Sequence, residues 1–239
     1  MGQAYPLIFT LGVAASLLWL ALSGPERGHA ATVDAGLAAL AGGLVGARAG
    51  FVLVHLDYFA GHPAETLWFW QGGLSWVGGA IGACASLLIF ALASRQSLWP
   101  VADALALPTA LMAVAGWGGC LLEGCAYGRR AEPGPLTPLS TDMLGWTMPR
   151  YPTQAAGMIY SLLVVALIYW LGGRRKPSGL LACLSLTLVA AGALALAFTR
   201  GDPVASISGL RLDGVGAAAV LLPALILLGA RAFHRSERV

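Results

Sequence analysis

The chain has 239 residues, of which 58% are apolar and 10% charged, with a net charge of +3. A soluble domain carries roughly 25% charged residues, so the composition excludes one and indicates an all-α integral membrane protein. The basic residues sit in short segments between apolar runs, where they set membrane topology and offer no nucleic-acid surface.

A spanning helix needs about 20 mostly apolar residues. The sequence predicts about seven of them, over residues 5–22, 34–54, 74–93, 101–122, 153–171, 178–198 and 214–233. The first ends at Ser23-Gly24-Pro25 and has no basic segment ahead of it, so it reads as a retained helix and not as a cleaved signal. The second is rich in Gly and Ala around Arg48, and the fourth contains Asp103 and Pro108. Small residues saturate the second, fourth, sixth and seventh helices, which favours close packing.

Alternate loops divide the cations. One set holds Arg27, Arg95, Arg174, Arg175, Lys176, Arg231, Arg235 and Arg238 in short segments. The other holds Arg129, Arg130, Arg150, Arg200 and Arg211 among most of the acids. The positive-inside rule makes the first set cytoplasmic, with the N-terminus outside and the C-terminus inside. Residues 55–71, residues 123–152 and the loop around Arg200 then face the outer side. The stretch 130–149, with four prolines, reads as an outer-face loop or small cap within a single transmembrane domain over 1–239.

The densest chemistry lies in residues 116–129, GWGGCLLEGCAYGR, where glycines, two cysteines, Glu123 and Arg129 end an apolar run. Ionisable groups are costly there and mark a site. Arg48 admits two readings: a side chain that snorkels or pairs with an acid such as Asp103, or a clamp for phosphate or carboxylate. Trp68, Trp70 and Trp76 fit an interfacial aromatic belt, while Gln71 and Ser75 beside Gly72-Gly73 are placed to contact a lipid headgroup. Arg150-Tyr151-Pro152-Thr153-Gln154 is a helix start. Arg200-Gly201-Asp202-Pro203 reads as a turn with an exposed ion pair of little energetic weight. Cys120 and Cys125 read as structural thiols, with a thiol nucleophile as the weaker alternative. His29, His55, His62 and His234 are too scattered to complete a zinc site, so neither metal nor cofactor is expected.

Taken together, these segments resemble the prolipoprotein diacylglyceryl transferase family. Gly46-Ala47-Arg48-Ala49-Gly50 is similar to its GARLGY motif, and Asp57-Tyr58-Phe59, His62-Pro63 and residues 70–75 to the loop that follows. Residues 102–106 fit the start of its fourth helix. Residues 116–129 lie on its signature GRxGNFxNGExYG, and residues 150–154 on its RHPSQ. Tyr5 and Gly12 resemble its N-terminal segment.

The resemblance implies a seven-helix enzyme of the bacterial inner membrane. Such an enzyme moves the diacylglyceryl group of phosphatidylglycerol to the lipobox cysteine thiol in a prolipoprotein signal peptide, and glycerol phosphate leaves. On a divergent-transferase reading the catalytic residues are Arg200 with Glu123 or Tyr5 serving the proton, Glu123 being an acid that the motif itself does not place there. The resemblance implies Arg48, Gln71, Gly72, Gly73, Ser75, Tyr127, Arg129, Arg150 and Gln154 as substrate-binding residues, with Arg48, Arg150 and Arg200 holding the phosphate. The chain also departs from the pattern: Val77, Trp117, Cys125, Tyr151, Ala193 and Ala197 stand where the family has a histidine, an arginine, a glutamate, a histidine, an arginine and a glutamate. Those losses support an alternative, a non-catalytic relative that binds lipid or a partner.

Overall fold

The computed structural model describes residues 4–23 and 29–233. Gly24-Pro25, His234 and the topology residues Arg27, Arg235 and Arg238 lie outside them. The helices are α1 (Ala4–Ser23), α2 (His29–Val54), α3 (Leu56–Gly61), α4 (Trp76–Ala93), α5 (Leu98–Ala104), α6 (Ala106–Glu123), α7 (Thr153–Gly172), α8 (Leu180–Ala197) and α9 (Leu212–Phe233). Two small hairpins interrupt them, β1–β2 (Leu139–Thr141, Thr147–Pro149) and β3–β4 (Ser206–Ile207, Leu210–Arg211). Seven helical segments among the described residues are long and apolar enough to cross a membrane, with α5 and α6 counted as one, Leu98–Glu123. The protein is a multi-pass α-helical membrane protein.

Pro108 explains the joint between α5 and α6. Proline has no N–H to donate and its ring clashes with the carbonyl four residues back, here that of Ala104. The helix restarts at Ala106, and Thr109 donates both its N–H and its hydroxyl to Leu105 O, at 2.9 and 2.8 Å.

The described residues form two compact units, those between 20 and 102 in one and 4–19 with 103–233 in the other. In the first, α2 and α4 meet along a glycine seam. A Cβ on Gly46 would strike the carbonyl oxygen of Gly78, and one on Gly82 that of Gly42. Glycines four apart lie on one helix face and let the backbones touch, which gives membrane helices dispersion contact where lipid offers no hydrophobic drive.

In the second unit, α6, α7 and α8 bury Ala106, Leu107, Ala110, Val164, Ile168 and Leu181. Several polar groups inside this bundle are spent on backbone, as expected where lipid offers no partner. Ser185 donates to Ala106 O at 2.7 Å and Tyr160 to Leu188 O at 2.8 Å. Asp103 accepts from Gly179 N at 2.7 Å and Ala182 N at 2.9 Å, so it caps α8 and is not the partner of Arg48. Lys176 caps the other end of this joint, donating to Gly172 O at 2.8 Å and Leu171 O at 3.3 Å at the end of α7. Arg174 lies over the Trp170 ring.

Candidate functional site

The end of α6 is where the predicted signature sits. Gly124 has φ of 73°, a left-handed cap that turns the chain back on itself. The turn brings the Cα atoms of Cys120 and Cys125 to 4.6 Å, and the two are joined in a disulfide. This corrects the expectation of structural thiols and removes both as nucleophiles. Gln154, at the start of α7, donates its amide to both cysteine carbonyls, Cys125 O at 2.7 Å and Cys120 O at 3.2 Å. It is buried and commits its donors to the turn. Glu123 Oε1 accepts from Ala4 N at 2.6 Å and Tyr5 N at 3.2 Å, so the carboxylate caps the positive end of α1. The Tyr5 ring packs on Gly119, one turn before Glu123. Trp117 packs its indole on Gly157 of α7.

Beyond the turn, residues 127–131 form a backbone platform held on both sides. Arg129 N donates to Thr199 O at 2.8 Å, and Tyr151 N donates to Arg129 O at 3.1 Å. Gly201 N donates to Tyr127 O at 2.8 Å and Ala131 N to Pro149 O at 3.1 Å. Only glycine fits at 128, where a Cβ would strike Tyr151 O.

The arginines around this platform fall into two kinds. Arg150 is 4% exposed, pairs with Asp142 at 2.7 Å, donates to Gly128 O at 3.3 Å and lies 4.4 Å over the Tyr127 ring. Its Nε–H alone has no partner. Asp142 is aimed at it by the β1–β2 hairpin, whose Leu144 and Trp146 N–H groups donate to Asp142 Oδ1 at 2.9 and 3.0 Å.

Arg200 meets Asp202 at 2.5 Å and Asp213 at 3.3 Å, while Arg211 meets the same two carboxylates at 3.3 and 3.1 Å. The Arg200–Asp202 turn is therefore not the exposed pair expected from sequence: it is half of a closed, neutral quartet. The Ser208-Gly209 turn, both residues at positive φ, brings Arg211 back to it. Burial works against the charge on Arg211, but the Asp213 and Asp202 carboxylates outweigh it and raise its pKa.

Arg129 and Arg130 are the second kind. Both are exposed, and neither forms an ion pair among the described residues. They line a cleft of 390 Å³ with Tyr127, Asp142, Leu144, Trp146, Arg150 and Gly201.

The other unit uses Arg48 to fold a loop. Its guanidinium donates to four carbonyls: Glu65 O at 2.5 Å, Thr66 O and Gly72 O at 2.8 Å, and Gly73 O at 3.1 Å. Gly72 and Gly73 have φ of 91° and 74°, which lets both carbonyls turn towards it. Phe59 lies 5.2 Å beneath the guanidinium. Ser75 caps α4 by accepting from Gly78 N at 3.3 Å. Gln71 is exposed, and its amide makes no hydrogen bond among the described residues.

Asp142, Leu144, Trp146 and Arg130 line the cleft and are not among the candidates expected from the sequence. The Arg129-Arg130 doublet was a visible signal. The pairing of Asp142 with Arg150 had none, because it depends on the hairpin.

A family model described as prolipoprotein diacylglyceryl transferase matches residues 3–231. Among curated relatives, the phosphatidylglycerol–prolipoprotein diacylglyceryl transferase of Verminephrobacter eiseniae is 34% identical over 140 residues, 57% of this chain and 50% of the relative. That of Paracidovorax citrulli is 35% identical over 142 residues, 56% of this chain and 50% of the relative. That of Bordetella avium is 32% identical over 163 residues, 66% and 60% of the two chains. The alignments thus span about half of the first two relatives. With its family model matched across residues 3–231, the chain belongs to the prolipoprotein diacylglyceryl transferase family.

Proposed function

We propose that this protein transfers the diacylglyceryl group of phosphatidylglycerol to the cysteine thiol of a prolipoprotein lipobox, at the outer leaflet of a bacterial inner membrane. The observation that carries the reading is the family match over residues 3–231. The substrates are those in the names of its relatives.

In the step itself, the substrate thiol loses its proton, and the thiolate attacks the glyceryl carbon bonded to the phosphate oxygen. A C–S bond forms, the C–O bond breaks, and the electron pair leaves on glycerol phosphate. Glu123 is the proposed proton acceptor. Its Oε1 is held by the start of α1, which positions the carboxylate and leaves Oε2 for the substrate. Tyr5, whose N–H donates to that carboxylate and whose ring packs on Gly119, lines the same place.

Arg150, Arg200 and Arg48 have a different assignment. Apart from the Arg150 Nε–H, their guanidinium groups are held by carbonyls and carboxylates of the protein itself, so we give them positioning roles: Arg150 and Arg200 for the platform, Arg48 with Gly72, Gly73 and Ser75 for the 65–73 loop. Gln154 likewise positions the disulfide turn, and Gln71 keeps a free amide for a headgroup. The disulfide supports placing the end of α6 on the oxidising, outer side, and Arg174, Arg175 and Lys176 at the opposite end of α7 support the cytoplasmic side there. That orientation puts the N-terminus outside.

The test is complementation of a strain depleted of its own transferase, with growth and lipoprotein processing restored as the expected result. A failure to rescue by a membrane-inserted, folded chain counts against the reading. Trp117 and the closed Cys120–Cys125 pair favour a second reading, a lipid-binding relative without turnover. It would show a phosphatidylglycerol-dependent rise in melting temperature and no lipidated peptide.

A further inference from the structure

Among the described cations of the outer platform, Arg129 and Arg130 are the pair with nothing to neutralise them. Arg150 adds a third guanidinium to the same cleft, and Asp142 supplies its single lining carboxylate. Three positive charges against one negative leave two in excess. The side chains project from backbone fixed by hydrogen bonds to Thr199, Tyr151 and Pro149. A ligand therefore has only their side-chain rotamers to order and not the backbone that carries them. The buried Arg150, with its Nε–H unpartnered, forms part of the wall. Leu144 and Trp146 make the remaining rim apolar, and both are largely exposed. The volume of 390 Å³ suits a small ligand.

We propose that this cleft is a binding site for a phosphate ester, with Arg129 and Arg130 as its direct ligands and Leu144 and Trp146 against the glyceryl or acyl portion. Guanidinium groups match phosphate oxygens in bidentate geometry and are the usual choice for the task. The chemistry is shared by an anionic lipid headgroup and by free glycerol phosphate. The proposal rests on the transferase reading only for which of these meets the cleft in the cell. It relocates the phosphate contact from Arg48, Arg150 and Arg200, which are held by carbonyls and carboxylates of the fold, to the two arginines that form no ion pair among the described residues, with the Arg150 Nε–H in the wall behind them.

The experiment uses the full-length protein in detergent and in nanodiscs, as wild type, R129Q/R130Q and the equal-charge control R174Q/R175Q. Glycerol phosphate and inorganic phosphate are titrated by calorimetry in detergent. Phosphatidylglycerol is compared with phosphatidylcholine in nanodiscs through the shift in melting temperature. Binding weakened at least about tenfold in R129Q/R130Q, with R174Q/R175Q unchanged, is the expected result. If the soluble esters bind, the cleft receives the released product as well as the headgroup; if only the phosphatidylglycerol nanodisc responds, it receives the headgroup alone. Equal binding by wild type and a folded R129Q/R130Q protein in both arms overturns the proposal. Peptide lipidation is assayed in parallel. Turnover with no difference in phosphate binding removes the cleft and leaves the transferase reading standing; phosphate binding lost in R129Q/R130Q with no turnover in wild type does the reverse.

Discussion

Arg48 and the Arg129-Arg130 pair show what separates a structural guanidinium from an available one. Arg48 sits in an apolar helix and turns its donors to four loop carbonyls. A charge on an apolar helix is costly, and the loop carbonyls offset that cost. Arg129 and Arg130 stand on a platform whose backbone is saturated by neighbouring chain, which leaves their side chains outside the internal network. Residue type and motif position do not distinguish the two cases. The supply of nearby carbonyls and carboxylates does.

The comparison breaks most severely at the Arg150–Asp142 pair. Asp142→Ala strands a buried guanidinium, and removing one partner of such a pair costs about 3–5 kcal/mol. Thermal or denaturant unfolding in detergent should show that loss, with the β1–β2 hairpin released first in hydrogen exchange. A variant as stable as wild type would mean that Arg150 does not depend on the hairpin.

Arg48→Gln removes most of the donors that gather the 65–73 loop. Each stranded carbonyl loses an interaction of about 1 kcal/mol or somewhat more with a charged donor. We expect a stability loss of about 2–3 kcal/mol and new protease cleavage between residues 65 and 73. Unchanged proteolysis would restore Arg48 as a candidate ligand.

The seven spans were legible because backbone in lipid must be helical and its side chains apolar. The observed helix ends lie close to the predicted ones, as α7 at Thr153–Gly172 against 153–171 illustrates. Pro108 carried the signal for the α5–α6 break, but a hydropathy window runs across it. The disulfide was less visible. A spacing of five places two residues on one helix face only loosely, and it is the left-handed Gly124 that closes the distance. Asp142 with Arg150, and Arg211 with the Arg200 turn, are long-range pairings that no local pattern encodes.

The disulfide sharpens the comparison at intermediate cost. Cys120→Ser with Cys125→Ser opens a very short loop, for which chain entropy gives about 2 kcal/mol. Gln154 still donates to both backbone carbonyls, so the turn should hold and a lowered melting temperature should be matched by reducing agent on the wild type. No effect from either treatment would mean that the bond is not carrying the turn. The smallest expected effect is Arg200→Gln. The Arg200–Arg211 quartet is partly exposed and shares its charges, so a loss of about 1 kcal/mol is expected. An effect as large as that at Asp142 would place Arg200 in the chemistry.

The central claim is a group transfer, and its balance can be counted. Purified protein, phosphatidylglycerol and a lipobox peptide are incubated, and mass spectrometry follows the peptide while the aqueous phase is assayed for glycerol phosphate. The account predicts diacylglyceryl peptide and glycerol phosphate in equal amounts, with both abolished when the peptide cysteine is replaced by serine. Protein that binds phosphatidylglycerol yet produces neither would contradict it.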